Sequence, residues 1–215
     1  FRSVWAMEGV GHYYTERLWA RQREPTGMLG GDEALALPER SLVPLHAGMG
    51  LSLAARALSG LRADAGDDVL RQALCWFVGL CRRNSRAGYV GAAYEALGLV
   101  ARNLYPQLIA IIDRLLAERE RDDLVGYFWH GVGRALYFAP TNSLPFIQSN
   151  RRLVDEATRE PPRPSAVRNA LAGLAWAMIL DNIRQAEVLE AFLPALAGGG
   201  LDLDAFGDGV GCAAQ

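Results

Sequence analysis

The 215-residue sequence contains no lysine: its 22 basic residues are all arginine, set against 24 acidic ones, and the formal charge is −2. A chain so balanced has no cationic surplus with which to neutralise a phosphate backbone, so nucleic acid is not an expected partner. Cysteine is almost as scarce. Cys75, Cys81 and Cys212 are an odd number, and the first two lie six apart on one expected helix with side chains pointing different ways. No disulfide framework is expected, and a reducing, cytoplasmic setting is the default. Histidine occurs only at His12, His46 and His130, without H-x-x-x-H or H-E-x-x-H spacing, so no metal site is expected. His46, close to Pro44 and Met49, reads as a satisfied core histidine, and Cys212, near Asp208 with no evident base, as a small buried residue. Long apolar runs are missing too. One long uncharged stretch, Ser41 to Ala55, has 15 residues including a proline and two glycines, short of the roughly 20 a membrane-spanning helix needs. There is no G-x-S-x-G elbow and no Walker sequence, and nothing calls for a cofactor.

What the chain has is glycine, placed with a period. A polar residue followed by Gly-Val-Gly occurs at Glu8-Gly9-Val10-Gly11, His130-Gly131-Val132-Gly133 and Asp208-Gly209-Val210-Gly211. Looser copies lie between: Ala47-Gly48-Met49-Gly50, Val90-Gly91-Ala92-Ala93 and Ala172-Gly173-Leu174-Ala175. The first glycines stand at 9, 48, 91, 131, 173 and 209, in steps of 39, 43, 40, 42 and 36 residues. A period near 40 with one glycine-bearing segment per period is the mark of a tandem helical repeat. The Gly-x-Gly segments fall inside expected helices and follow no strand, which removes a dinucleotide-binding reading.

Punctuation divides the periods into helix pairs. Glycine-bearing helices are expected over Arg2–Glu24, Pro38–Leu61, Arg86–Asn103, Asp122–Phe138 and Ser165–Asn182, with a sixth unit from Leu201. Plainer amphipathic helices follow over Asp67–Asn84, Gln107–Arg119, Ser143–Thr158 and Ala186–Ala197, and Gly198-Gly199-Gly200 ends the last pair. Glu160-Pro161-Pro162-Arg163-Pro164 reads as a stiff extended link inside the array. No segment alternates long enough to form a strand. The expected fold is all-α: one domain over 1–215 of tandem helical hairpins, arranged as an α-solenoid or a closed α/α toroid. With hydrophobic residues at 51% the chain buries a substantial core. It opens without methionine and stops inside a repeat motif, so it reads as a piece of a longer protein. Each interior glycine costs a helix about 1 kcal/mol against alanine. Two of them, two residues apart, thin opposite flanks of one helix, as a helix squeezed between neighbours requires.

The positions before the first glycine and four residues later share a helix face. They are polar in the first, fourth and sixth copies (Glu8/His12, His130/Arg134, Asp208/Cys212) and apolar or aromatic in the others (Ala47/Leu51, Val90/Tyr94, Ala172/Trp176). Tyr127 and Tyr137 extend the fourth. Such a face suits the wall of an elongated apolar pocket with a few polar anchors, and Glu8, His12, Tyr94, Tyr127, His130, Arg134, Tyr137 and Trp176 are its candidate ligand-binding residues. The competing reading is that the charged members satisfy one another or face solvent.

Gly131-Val132-Gly133-Arg134-Ala135-Leu136-Tyr137-Phe138 resembles the G-x-G-R-x-L-W/F-F segment of a family of uncharacterised proteins encoded beside enediyne polyketide synthases. Met7-Glu8-Gly9, His46-Ala47-Gly48-Met49-Gly50 and Ala172-Gly173-Leu174-Ala175 resemble further segments of that family, in the same order. The departure is in the third unit, where the family has a histidine after its D-G-Y-G-F run and this chain has Gly88-Tyr89-Val90-Gly91-Ala92-Ala93-Tyr94. The resemblance implies a pathway: an accessory protein of enediyne-like polyketide metabolism that holds a hydrophobic, polyene-type intermediate or partners other biosynthetic proteins. An enzyme acting on that intermediate inside a toroidal cavity, and a pure protein-interaction scaffold, are the alternatives.

Overall fold

A computed structural model describes residues 2–62, 64–118, 122–139, 147–188, 190 and 203–214. Among them the regular structure is helical and no strand occurs, so the fold is all-α. The α-helices are α1 (Arg2–Ala20), α2 (Glu39–Leu58), α3 (Asp67–Asn84), α4 (Val90–Leu104), α5 (Ile109–Ala117), α6 (Asp122–Tyr137), α7 (Ile147–Arg159), α8 (Pro164–Asn182) and α9 (Leu203–Ala214). Short 3-10 turns lie at Asp32–Ala36 and Pro106–Leu108. The chain forms two compact units, 1–128 and 129–215, with the division inside α6.

In the first unit α2 is the central helix, packed against α1 on one side and α4 on the other. Its two glycines explain how it fits. A methyl group on Gly48 would overlap the Glu8 carbonyl of α1, and one on Gly50 would overlap the Ala93 carbonyl of α4. Residues two apart point to opposite flanks, so one Gly-x-Gly lets two neighbours press backbone against backbone. α1 reciprocates at Gly11, which lies against the Leu45 carbonyl, and Gly91 of α4 lies against the Tyr127 ring. Buried on both flanks, α2 hides fourteen of its residues, among them Leu42, Met49, Leu53 and Leu58.

α3 is different in kind. Leu70, Leu74, Phe77, Val78 and Cys81 fall on one buried face while Arg82 and Arg83 at its last turn stay exposed, the pattern of an outer helix with one apolar side. Two arginines tie it to α5: Arg71 to Glu118 and Arg114 to Asp67, each at 2.8 Å. These pairs are exposed, so solvent screens them and they add little to stability.

The second unit repeats the glycine packing. Gly133 of α6 lies against the Ala170 carbonyl of α8, Gly173 of α8 against the His130 carbonyl of α6, and Gly209 of α9 against the Ala172 carbonyl of α8. α8 therefore receives a glycine contact on each side. α7 lies against it as the amphipathic helix, burying Leu153, Val154 and Ala157.

Several expected boundaries move. α1 stops at Ala20, because Gln22 adopts a left-handed backbone (φ 55°) and the Arg23 amide returns to the Leu18 carbonyl at 3.0 Å. α4 starts at Val90, after a turn in which Gly88 takes φ +88°. Pro164 is the first residue of α8, where its missing amide would have no helical partner anyway, so the proline-rich link is bent and ends one residue early. Cys212 is exposed, contrary to expectation: it lies in the last turn of α9, past the stretch where Ala205, Phe206 and Gly209 are buried. Cys75 is exposed, Cys81 is buried, and none of the three cysteines is in a disulfide. The expected helix starts at Ser143 and Pro145, most of the expected 186–197 helix, and the glycines at 198–200 lie outside the described residues.

Candidate functional site

In the first unit, α1, α2 and the segment joining them enclose a cleft of about 440 Å³. α1 supplies Val10, Gly11, Tyr14 and Leu18, α2 supplies Leu45 and Met49, and the connection supplies Met28, Leu29 and Leu37. Val10, Tyr14 and Leu18 recur at helical spacing along one stripe of α1. The stripe continues into Arg17 and, at the helix end, Arg21, which complete the lining. The floor is buried, with Met49 at 0% exposure, while the rim is open at Val10 and Tyr14, exposed at 38% and 52%. An apolar trough of this size with polar groups at one end is the ordinary form of a small-molecule site.

The connection is tied by hydrogen bonds to the end of α3. Asn84, fully buried at the end of α3, donates from its amide to the Pro25 carbonyl at 3.0 Å and accepts the Met28 amide at 3.2 Å. Its own carbonyl accepts the Leu29 amide at 2.9 Å. Thr15 of α1 donates to the Gly11 carbonyl at 2.8 Å and lies 3.6 Å from the Met28 sulfur. Met28 and Leu29 are thereby held over the cleft. α1 is fastened to α2 by a short hydrogen bond from Ser52 to Glu16 and by Arg56 lying over the Trp19 ring.

The residues singled out from the sequence are divided between the two units. Glu8 and His12 are half-buried on α1, on the flank that meets Gly48. Tyr94 is buried between Phe77 and Tyr127, its ring centroid 6.4 and 6.2 Å from theirs, and its hydroxyl accepts the Arg82 Nε–H at 3.1 Å. Burial is the main reason its phenol is pushed far up from its usual range. Tyr127 is exposed. In the second unit Arg134, only 3% exposed, places its guanidinium 4.3 Å from the centroid of the Trp176 ring, and His130 meets the same ring edge-on at 6.5 Å. Tyr137 accepts a short hydrogen bond from Asn182 and donates to Asp181 at 3.3 Å. Burial raises its pKa.

His46 is a core histidine, as its neighbours in sequence led us to expect. Its Nε2 accepts the Arg86 amide at 3.0 Å, so the proton is on Nδ1, which donates to the Leu42 carbonyl at 2.7 Å. Both nitrogens are used and the ring stacks on Tyr89, 5.5 Å away. Burial holds its pKa below the usual value, the Leu42 carbonyl opposes that, and the Arg86 charge adds to it.

No family model, curated protein or solved structure matches this chain. Among the described residues no helix is long and apolar enough to cross a membrane, and no group of three or more His, Cys, Asp or Glu side chains is placed to hold a metal ion.

None of the cleft residues was among the candidate ligand-binding residues read from the sequence, although Val10, Gly11 and Met49 belong to the repeated glycine motifs. The signal was present in part, since Val10, Tyr14, Arg17, Leu18 and Arg21 keep positions i, i+4, i+7, i+8 and i+11 of one helix. Its other wall is the Met28–Leu37 connection, whose course is set by Asn84, a residue 56 positions from Met28. Local spacing does not reveal such a partner.

Proposed function

We propose that this chain is a helical-repeat binding protein that holds an elongated, hydrophobic molecule of polyene type. The observation that supports this reading is the apolar cleft between α1 and α2, of about 440 Å³ and open at its rim. Apart from Arg17 and Arg21, its walls are aliphatic side chains, two methionines, a tyrosine and a glycine, which suit retention by area and shape. Placement in enediyne-like polyketide metabolism, as an accessory protein that other biosynthetic proteins meet, is part of the same proposal and rests on the resemblance of the glycine segments. Three cysteines outside any disulfide fit work in the reducing cytoplasm.

The test uses diphenylhexatriene, a neutral polyene that fluoresces on entering an apolar site. The wild-type chain should enhance its emission saturably with one site. Val10→Trp, which adds an indole at the exposed rim without disturbing the buried floor, should weaken binding by about tenfold or more. Absence of binding to the wild type, or equal binding to Val10→Trp, would overturn the proposal.

A further inference from the structure

The cleft is apolar along most of its length but has a cationic end. Arg17, in the last turn of α1, and Arg21, in the turn that follows it, stand four residues apart and both line the cleft. The acidic side chains close to them in sequence are engaged elsewhere: Glu16 accepts from Ser52, and Glu24 pairs with Arg83 at 2.9 Å. Neither guanidinium forms an ion pair among the described residues. The backbone at Arg21 is held, because its amide returns to the Leu18 carbonyl at 3.0 Å and the left-handed Gln22 and the Arg23-to-Leu18 bond follow it. Arginines suit the negative end of a helix dipole in any case, but that alone does not call for two of them over an apolar trough with no acidic partner.

We propose that the occupant of this cleft is a long-chain carboxylic acid, its apolar body lying along Leu18, Leu45 and Met49 and its carboxylate received by Arg17 and Arg21. This rests on the apolar-ligand reading above and adds the head group. Planar guanidinium forks match the two oxygens of a carboxylate in parallel hydrogen bonds, a fit that an ester or alcohol at the same place does not reproduce. The charge complementarity also sets the ligand's direction, acid end toward the C-terminus of α1.

The experiment is a fluorescence titration of the whole chain with cis-parinaric acid, a conjugated tetraene acid, beside its methyl ester and an alkyl phosphate of similar chain length. The wild type should bind the acid about tenfold more tightly than the ester, with the preference shrinking as salt rises. Arg17→Gln with Arg21→Gln should abolish the preference, so that acid and ester bind the double variant equally. Both side chains are exposed, and an unaltered helical circular dichroism spectrum checks that the fold persists. Equal binding of acid and ester to the wild type, or an acid preference that survives in the double variant, would overturn the carboxylate assignment while leaving an apolar site in place. Tighter binding of the alkyl phosphate would overturn it in favour of a phosphorylated ligand. If neither acid nor ester binds, the apolar-ligand reading fails together with it.

Discussion

His46 shows what a single buried side chain contributes and what that contribution requires. Its two nitrogens are satisfied only while the ring is neutral: a second proton would remove the acceptor that the Arg86 amide uses. The folded protein therefore binds that proton less readily than the unfolded chain does. Stability from this residue is complete above the ordinary histidine value of 6.5, falls as the pH drops below it, and levels off below the residue's own lowered value. Urea denaturation between pH 8 and pH 5 should show that decline. In His46→Gln the decline should be shallower, on a protein about 1–3 kcal/mol less stable at pH 8 because buried partners lose their bonds. Equal slopes in the two proteins would show that His46 is not the titrating group. The identity of this residue as core was legible from its apolar neighbours, but its partners were not, since Arg86 is 40 residues away.

At the scale of the helix, the glycines divide into two kinds that the sequence presents as one. Gly48 and Gly133 touch backbone carbonyls of the adjacent helix, which cannot rotate aside as a side chain can, whereas Gly9 has nothing within 4 Å of the place a methyl would occupy. Gly48→Ala and Gly133→Ala should each destabilise by about 1–3 kcal/mol through overpacking. Gly9→Ala in the same helical setting should stabilise by about 0.5–1 kcal/mol, since it removes the entropy cost of a glycine and meets no obstacle. Thermal melts of the three variants decide it; a stabilising Gly48→Ala would contradict the close approach. The motif was readable because a helical period and a side-chain deficit are both properties of the string. Which flank of each copy is occupied was not, because it depends on the neighbours that α1 and α9 have or lack: Gly9 and Gly211 face open space while Gly11 and Gly209 do not.

For the molecule as a whole, the absence of strand-like alternation and the regular punctuation are enough to name an all-α fold. Circular dichroism should report helix as the dominant signal with negligible strand, and a large strand fraction would refute the architecture. The helices themselves were legible where capping and charge agree, as at Asp67 and Asp68 opening α3 and Arg82 and Arg83 closing it. Less legible was the path between helices, since the 25–31 connection follows hydrogen bonds to the far end of α3 and not any local turn signal. What most of the inner-helix glycines press against is a carbonyl oxygen, a group every residue carries, so the fit between successive copies does not depend on which side chains the neighbour has. A segment of about 40 residues gained or lost by gene duplication would bring its own glycines and find a ready surface, while the side chains of the cleft stay free to diverge. Growth by whole units and specialisation of one unit are thus separable in this chain.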